Sequence, residues 1–589
     1  MGLSGLAGDM MPRRRRVLGG LVLAGALACC DRQAAETSPT PFAPPLGVTV
    51  NAAGARRSVL DVTVDCRALA RPINLGIYGT GYDPSAYSDV VNPGIYGIGE
   101  GYSDMSDDRQ WQLGASGRRF GGNSSSRYNW ELGTFNHGSD WVFANDGTPA
   151  GEPLYERFLR ENDGKGILSA VTVPILGWVA KDRTSASFPI ARYPDQSGID
   201  KIRAAGDGRT RTGRVLPSPE PTETSVAATP EMEGRWVKAM ASRPSSSASG
   251  ASQRVYILDN EPGLWNSTHR DVHPDPMSYD ELMTRTVAYA KEIRKNDPHG
   301  LIAGPSSFGW PEYLYSPKDG VWSYKIHLDR RLHGNVPLLA YYLRELHHHE
   351  QQTGERLLDL LDVHFYPQTD DVGVGAKGGV DAKTAAARIR STRALWDPTY
   401  VDESWINEPI RLLPRLQEWI DQYYPGIGIE VGEWDFGAEG HMSGALAVAE
   451  TLGRFANAGV ARAFYWTFPA PRSATFFAFR AFRNFDGHGG RFEDALVPLP
   501  VSAEGTSIWA SRDPSGKHLV LVVLDFMPDV ALDARVHVSS CGTGASGSAY
   551  VYVQGASDFA TSALESRDIG VVGASLPPYS IATLDIRLE

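Results

Sequence analysis

The sequence is short of cysteine and of positive charge, and its one early apolar run is too short to cross a bilayer. Lysine and arginine number 57 against 69 aspartates and glutamates, a formal charge of −12. The first 28 residues hold four arginines and one aspartate, so the remainder is more acidic still. Such a surface repels phosphate backbones, which excludes nucleic acid as an expected partner and leaves a neutral substrate compatible. Of the four cysteines, Cys29 and Cys30 stand near the N-terminus, leaving Cys66 and Cys541 for the folded body. In an oxidising compartment these two are a candidate disulfide that would staple the chain ends, with two buried thiols as the alternative.

The apolar run Val17 to Ala28 follows Arg13 to Arg16, the pattern of an export signal over residues 1–28. It ends in Ala26-Leu27-Ala28-Cys29, which resembles a bacterial lipoprotein cleavage box and makes Cys29 a lipidation candidate. Ordinary cleavage with free secretion is the competing expectation. Any membrane attachment is then expected only through such an N-terminal anchor.

Residues 29–46, rich in Pro, Ala, Thr and Ser, read as a flexible linker. Strand-like residues 47–72 follow and are expected to join a later β-domain. Between 73 and 484 come eight short apolar runs: Ile73–Tyr78, Arg118–Gly122, Leu168–Ile175, Val255–Leu258, Leu301–Gly304, Leu360–Tyr366, Ile427–Gly432 and Ala461–Trp466. Amphipathic stretches part several of them. Leu282, Thr286 and Tyr289 share one helical face, and Leu412, Leu416, Trp419 and Ile420 another. Eight buried strands alternating with helices predict an α/β fold, a (β/α)8 TIM barrel. Residues 485–589 carry strand signals parted by Gly, Pro, Asp and Ser, which predicts an additional β-sandwich domain.

In such a barrel the chemistry sits where strands end. The fourth run ends in Asp259-Asn260-Glu261-Pro262 and the seventh in Gly432-Glu433-Trp434. Two carboxyl groups facing each other across one mouth suit glycoside cleavage: one protonates the leaving oxygen, the other attacks the anomeric carbon. Asn260 is placed to hydrogen-bond a sugar 2-hydroxyl, and Arg119, His364 or Tyr366 to orient the nucleophile. Asn407-Glu408-Pro409 repeats the tripeptide, but just before a helix pattern, and is read as a helix start. The 14 tryptophans permit sugar stacking without demonstrating it.

Together these residues resemble glycoside hydrolase family 44, retaining endo-β-glucanases and xyloglucanases with a barrel and a β-sandwich. The resemblance runs from about residue 70 to the C-terminus. It rests on Arg119-Phe120-Gly121-Gly122-Asn123, Arg127-Tyr128-Asn129-Trp130 and Ser139-Asp140-Trp141, then on Leu258 to Trp265 with Ser267 to Pro274. Asp362-Val363-His364-Phe365-Tyr366-Pro367 and Leu395-Trp396-Asp397-Pro398-Thr399-Tyr400 complete it. By the resemblance Glu261 is the acid/base and Glu433 the nucleophile, acting on β-1,4-glucan or xyloglucan. Trp130, Trp141, Trp396, Trp405 and Trp466 become candidates for substrate stacking. No required cofactor is implied; structural calcium is, with no ligands assignable, and the chain is expected to act as a monomer on polysaccharide. Two departures bear on the substrate: Gly432-Glu433-Trp434 replaces an expected Thr-Glu-Tyr, and Ser306-Ser307-Phe308-Gly309-Trp310 lacks an expected acidic residue and second Trp. The same mechanism on xylan or mannan, and a non-catalytic carbohydrate-binding lipoprotein, stand as alternatives.

Overall fold

Short apolar runs that are buried on both faces become parallel strands, and here eight of them close on themselves. The computed structural model describes residues 42–43, 45–87, 108–147, 153–243, 254–320, 327–538, 540–541 and 545–588. Cys29, the export segment and most of the linker lie outside them. The barrel strands are β1 (Gly79–Tyr82), β2 (Gly117–Phe120), β3 (Leu168–Val173), β4 (Val255–Leu258), β5 (Leu301–Ser307), β6 (Leu360–Phe365), β7 (Gly428–Trp434) and β8 (Arg462–Tyr465). They run in sequence order around a closed, all-parallel barrel. The expected (β/α)8 class is therefore the observed one.

The first strand differs from its prediction. Leu75–Tyr78 forms a turn of 3-10 helix, and the strand is the next segment, Gly79-Thr80-Gly81-Tyr82. This glycine-rich strand lacks the apolar signature of its neighbours, so the pattern pointed to the residues just before it. The helix start expected at Asn407-Glu408-Pro409 is also displaced. The helix runs Leu412–Tyr423, and Glu408 is exposed in the loop ahead of it. Other helices follow their patterns: Tyr279–Asn296 buries Leu282, Thr286 and Tyr289 and is capped by Ser278, whose hydroxyl accepts from the Glu281 N–H at 3.2 Å.

Two strand irregularities matter for the site. In β7, Val431 pairs with Val363 of β6, but the next pair is Glu433 with His364, so Gly432 is an extra residue. In β5, Ser306 is likewise extra, at φ +60°. Side chains alternate along a strand, so an inserted residue turns the next one to the opposite face. Without the β7 bulge, Glu430 and Glu433 would face opposite ways; with it both point into the barrel.

Residues 485–588 and the early strands build two sheets. Arg56–Thr63 pairs in parallel with Val530–His537 in a five-stranded sheet, and His518–Asp525 and Ser580–Leu588 are central in a seven-stranded one. Leu60, Val62, Leu521, Val523, Leu532 and Leu584 fill the space between. The outer face of the seven-stranded sheet lies on the barrel helices: Tyr552 stacks on Phe477 at 4.3 Å, and the Thr583 hydroxyl donates to the Ala481 carbonyl at 2.8 Å. A sheet covered on both faces explains the uninterrupted Leu519-Val520-Leu521-Val522-Val523-Leu524. Among the described residues no helix is long and apolar enough to cross a membrane.

A disulfide joins Cys66 to Cys541, 475 residues apart in sequence. Each follows one of the two paired parallel strands, so the bond ties adjacent strand ends. Replacing both by serine removes a cross-link from the unfolded chain and is expected to destabilise the sandwich by about 2–4 kcal/mol. Denaturant titration with and without reductant checks this. Reductant should weaken wild type to the level of the double variant and leave that variant unchanged.

Candidate active site

The mouth of the barrel is organised around a guanidinium. Arg119, on β2, is fully buried. Its Nη1 donates to Glu433 Oε1 at 2.5 Å and its Nη2 to Asn260 Oδ1 at 2.7 Å. Nη2 also lies 3.3 Å from Ser306 Oγ and 3.4 Å from His364 Nε2. Strands β2, β4, β5, β6 and β7 thus converge on one cation. A second donor reaches Glu433 from β6's end: the Tyr366 hydroxyl donates to Oε2 at 2.8 Å. Burial and the Glu433 charge hold that phenol well above its usual range, so it stays a donor.

Glu261 stands opposite. One of its carboxyl oxygens, one of Glu433 and a ring nitrogen of His364 all lie within 4.8 Å of one another. Glu261 and Glu433 are only 7% and 4% exposed. Burial pushes Glu261 up to about 7, against the lowering pull of Arg119. Burial also drives His364 down to about 3, so its imidazole is neutral. Arg119 can only donate, which makes Nε2 the acceptor and puts the His364 proton on Nδ1. That N–H faces Glu261 Oε1 at 3.0 Å, with Glu433 Oε2 farther at 3.4 Å. His364 therefore orients the Glu261 carboxyl more directly than the Glu433 carboxylate.

The structure brings Arg119, Asn260, Glu261, His364, Tyr366 and Glu433 together. Trp466 closes β8 beside them, against Gly122: an ideal Cβ at Gly122 would lie 2.4 Å from the indole Cη2, and the φ there is +85°. The other tryptophans are placed differently. Trp130 packs against Val179, Ala228 and Met232. The Trp141 indole N–H donates to Asp200 at 2.7 Å, and the ring rests on Val142, Ala144 and Ala205. The Arg454 guanidinium lies over the Trp396 ring, its Cζ 3.6 Å from the ring centroid. Arg454 is in the last turns of Met442–Ala458, at the end of the barrel away from the mouth. Trp396 is therefore a packing residue between barrel and sandwich. Trp405 is 40% exposed on the loop before Leu412.

Sequence patterns missed several polar neighbours. Asp362 and Glu430 pair across β6 and β7 and are fully buried in the barrel interior. Burial raises both carboxyls, Glu430 well above its usual range. An ideal Cβ at Gly432 would come within 2.5 Å of Asp362 Oδ1, so the bulge residue has no room for a side chain. Glu312, fully buried and pushed by burial to about 8, accepts from the Phe308 N–H at 2.8 Å and braces the loop after β5. The signal available for Asp362 and Glu430 was a charged residue inside an otherwise apolar strand. Glu261, His364 and Glu433 are also the one group of three among the described residues able to surround an ion. Calcium takes six to eight oxygens, and a guanidinium already holds Glu433, so this group does not fit the expected calcium.

The family model for glycoside hydrolase family 44 matches residues 134–369. Endoglucanase A of Paenibacillus lautus is 30% identical, with 92% of this chain and 74% of that protein covered. The solved structure of CelM2, a bifunctional glucanase-xylanase from a metagenome library, is 31% identical with a TM-score of 0.80, covering 90% of this chain and 99% of that one. A Paenibacillus polymyxa xyloglucanase of glycoside hydrolase family 44 is 26% identical with a TM-score of 0.71 over 90% of this chain and 99% of that one.

The raised Glu261 has a stability consequence. A carboxyl whose folded value lies above its ordinary one favours folding while protonated, and that contribution is lost as pH rises through about 7. Glu261→Gln cannot ionise. It is expected to stabilise the fold by about 3 kcal/mol at pH 8 and by under about 1 kcal/mol at pH 5. Denaturant unfolding at the two pH values checks it; an equal effect at both would contradict the buried, raised carboxyl.

Proposed function

The chain belongs to glycoside hydrolase family 44, and from that premise we propose that it is a retaining, endo-acting hydrolase of β-1,4-glucan or xyloglucan. The observation that carries the mechanism is the opposed pair: Glu261 pushed to about 7, and Glu433 within 4.8 Å of it, held by Arg119 and Tyr366. A carboxyl separation near ~5 Å leaves no room for a water between them, which favours direct attack. Glu433 then attacks the anomeric carbon while Glu261 protonates the departing glycosidic oxygen. The bond to the leaving sugar breaks as the glycosyl–Glu433 ester forms. Glu261, now a carboxylate, takes a proton from water, and that water's oxygen displaces Glu433, restoring the original configuration. No cofactor enters these steps.

His364 Nδ1–H steadies the Glu261 carboxyl through both protonation states, and Trp466 offers a flat floor to the sugar at the cleavage point. We assign the export role to residues 1–28, with Cys29 the lipidation point if the chain is anchored. The named activities of the relatives span endoglucanase, xyloglucanase and glucanase-xylanase, so xylan belongs beside the glucans in any test.

Carboxymethylcellulose, xyloglucan, glucomannan and xylan form the substrate panel, with greatest activity expected on the first two. Glu433→Ala should lose at least about a thousandfold in kcat on every active substrate. With an aryl β-cellobioside and azide, Glu433→Ala should release the α-glycosyl azide and Glu261→Ala the β-azide, read by NMR. Swapped products would reverse the roles, and activity of Glu433→Ala without azide would sink the mechanism.

A further inference from the structure

Beyond the pair lies a chain of amides whose direction is set at both ends. Arg119 Nη2 donates to Asn260 Oδ1 at 2.7 Å. Asn260 Nδ2 donates to Asn123 Oδ1 at 2.9 Å, and Asn123 Nδ2 donates to Asp140 Oδ1 at 3.0 Å. A guanidinium has no acceptor, so Asn260 must turn its carbonyl toward Arg119 and its NH2 away. A carboxyl oxygen that carries no proton can only accept, so Asn123 must turn its NH2 toward Asp140. Both amides are thereby fixed against the half-turn that exchanges their oxygen and nitrogen. Donors all point the same way, so each bond polarises the next.

The arrangement leaves one Asn260 N–H unused by the chain, on the residue next to Glu261 and 2% exposed. In the hydrolase reading, a sugar held with its anomeric carbon between Glu261 and Glu433 would have a 2-hydroxyl oxygen for this N–H to donate to. Arg119 alone does not lock the far end. If Asn123 turned over, its NH2 would face the Asn260 NH2, donor against donor, and the Asn260 amide would be driven from its place. Asp140 prevents that turn. It sits 17 residues beyond Asn123, outside any strand end, in the short turn Gly138–Asp140.

We propose that Asp140 and Asn123 are positioning residues that hold the Asn260 amide as a donor to the sugar 2-hydroxyl. The proposal rests on the hydrolase reading above. It gives the Asn123-to-Asp140 segment a role in transition-state recognition rather than in substrate stacking or packing alone.

The test compares two aryl β-cellobiosides, one complete and one lacking the 2-hydroxyl on the sugar at the cleavage point. The ratio of their kcat/KM values reports the 2-hydroxyl interaction and cancels general damage. Asp140→Ala should lower that ratio about tenfold relative to wild type, and Asn123→Ala by a similar factor. Asp140→Asn can still offer a carbonyl to Asn123 and should restore most of the ratio. Equal losses on both substrates in Asp140→Ala would make it a structural residue only and overturn the proposal. An unchanged ratio would overturn it too. A wild type inactive on both glycosides would overturn the hydrolase reading and this proposal with it, whereas a normal wild type with an insensitive ratio defeats this proposal alone.

Discussion

Placing a guanidinium inside a closed barrel removes it from water at a cost of several kcal/mol, and only a dense set of acceptors offsets that. Arg119 meets Glu433, Asn260, Ser306 and His364 from four other strands. The geometry of those strands follows from this requirement. Ser306 reaches Arg119 because β5 carries an extra residue at that point, and Glu433 reaches it because β7 carries one at Gly432. A regular ladder at either place would turn the partner outward. The bulges are therefore part of the ion pair.

One cation at the mouth also decides how charge is divided among the carboxyls. Glu261, Glu433, Asp362 and Glu430 all lie within its influence, and all are buried. Glu433 is the one whose oxygen meets the guanidinium at 2.5 Å. Asp362 and Glu430, paired lower in the barrel, are raised by burial, to which the Glu433 charge adds at Asp362 and the Asp362 charge adds at Glu430, with Arg462 beside Glu430 pulling the other way. At Glu261 burial raises the carboxyl and Arg119 restrains it, to about 7. In the acid/base role proposed for Glu261, a group that gives and regains a proton within one cycle needs such an intermediate value. Here it arises from two opposed effects of position.

The barrel was legible because parallel strands covered on both faces read as apolar runs, and the carboxyl pair was legible because strand ends converge. β1 was misplaced for the same reason in reverse. Gly79 and Gly81 carry no side chain to advertise a strand, while Leu75 to Tyr78 advertise one and form a turn. Bulges were invisible, since a single extra residue leaves no compositional trace. A tryptophan's count and position do not say which way it points, and Trp130, Trp141 and Trp396 turn to apolar packing, to Asp200 and to Arg454. Asn260 was read as a sugar contact from its place beside Glu261. Its partners on the protein side, Arg119 and Asn123, come from another strand end and had no signal of proximity.

Glu261 is held in a conformation its own chemistry disfavours. Asp259, Glu261 and Ser306 all have positive φ, +66°, +47° and +60°, in a region that side chains with a Cβ enter at a cost of about 1–3 kcal/mol each. Such strain persists only where the surroundings over-determine it, and the surroundings here can be named. Asp259 Oδ2 accepts from the N–H groups of Ile175 and Leu176 at 2.5 and 2.8 Å, tying the end of β4 to the loop after β3. Its Oδ1 accepts from the Asn260 N–H at 2.8 Å and the Trp265 indole at 3.2 Å. The Glu261 N–H itself donates to the Ser306 carbonyl at 3.0 Å, joining the two strained segments. One carboxylate thus satisfies four donors at the point where the chain leaves β4. Because Asp259 has no hydrogen bond to the Glu261 carboxyl, its contribution is to the backbone that aims it. The Glu261 side chain is left free to change charge, while the residue two positions earlier keeps it facing Glu433.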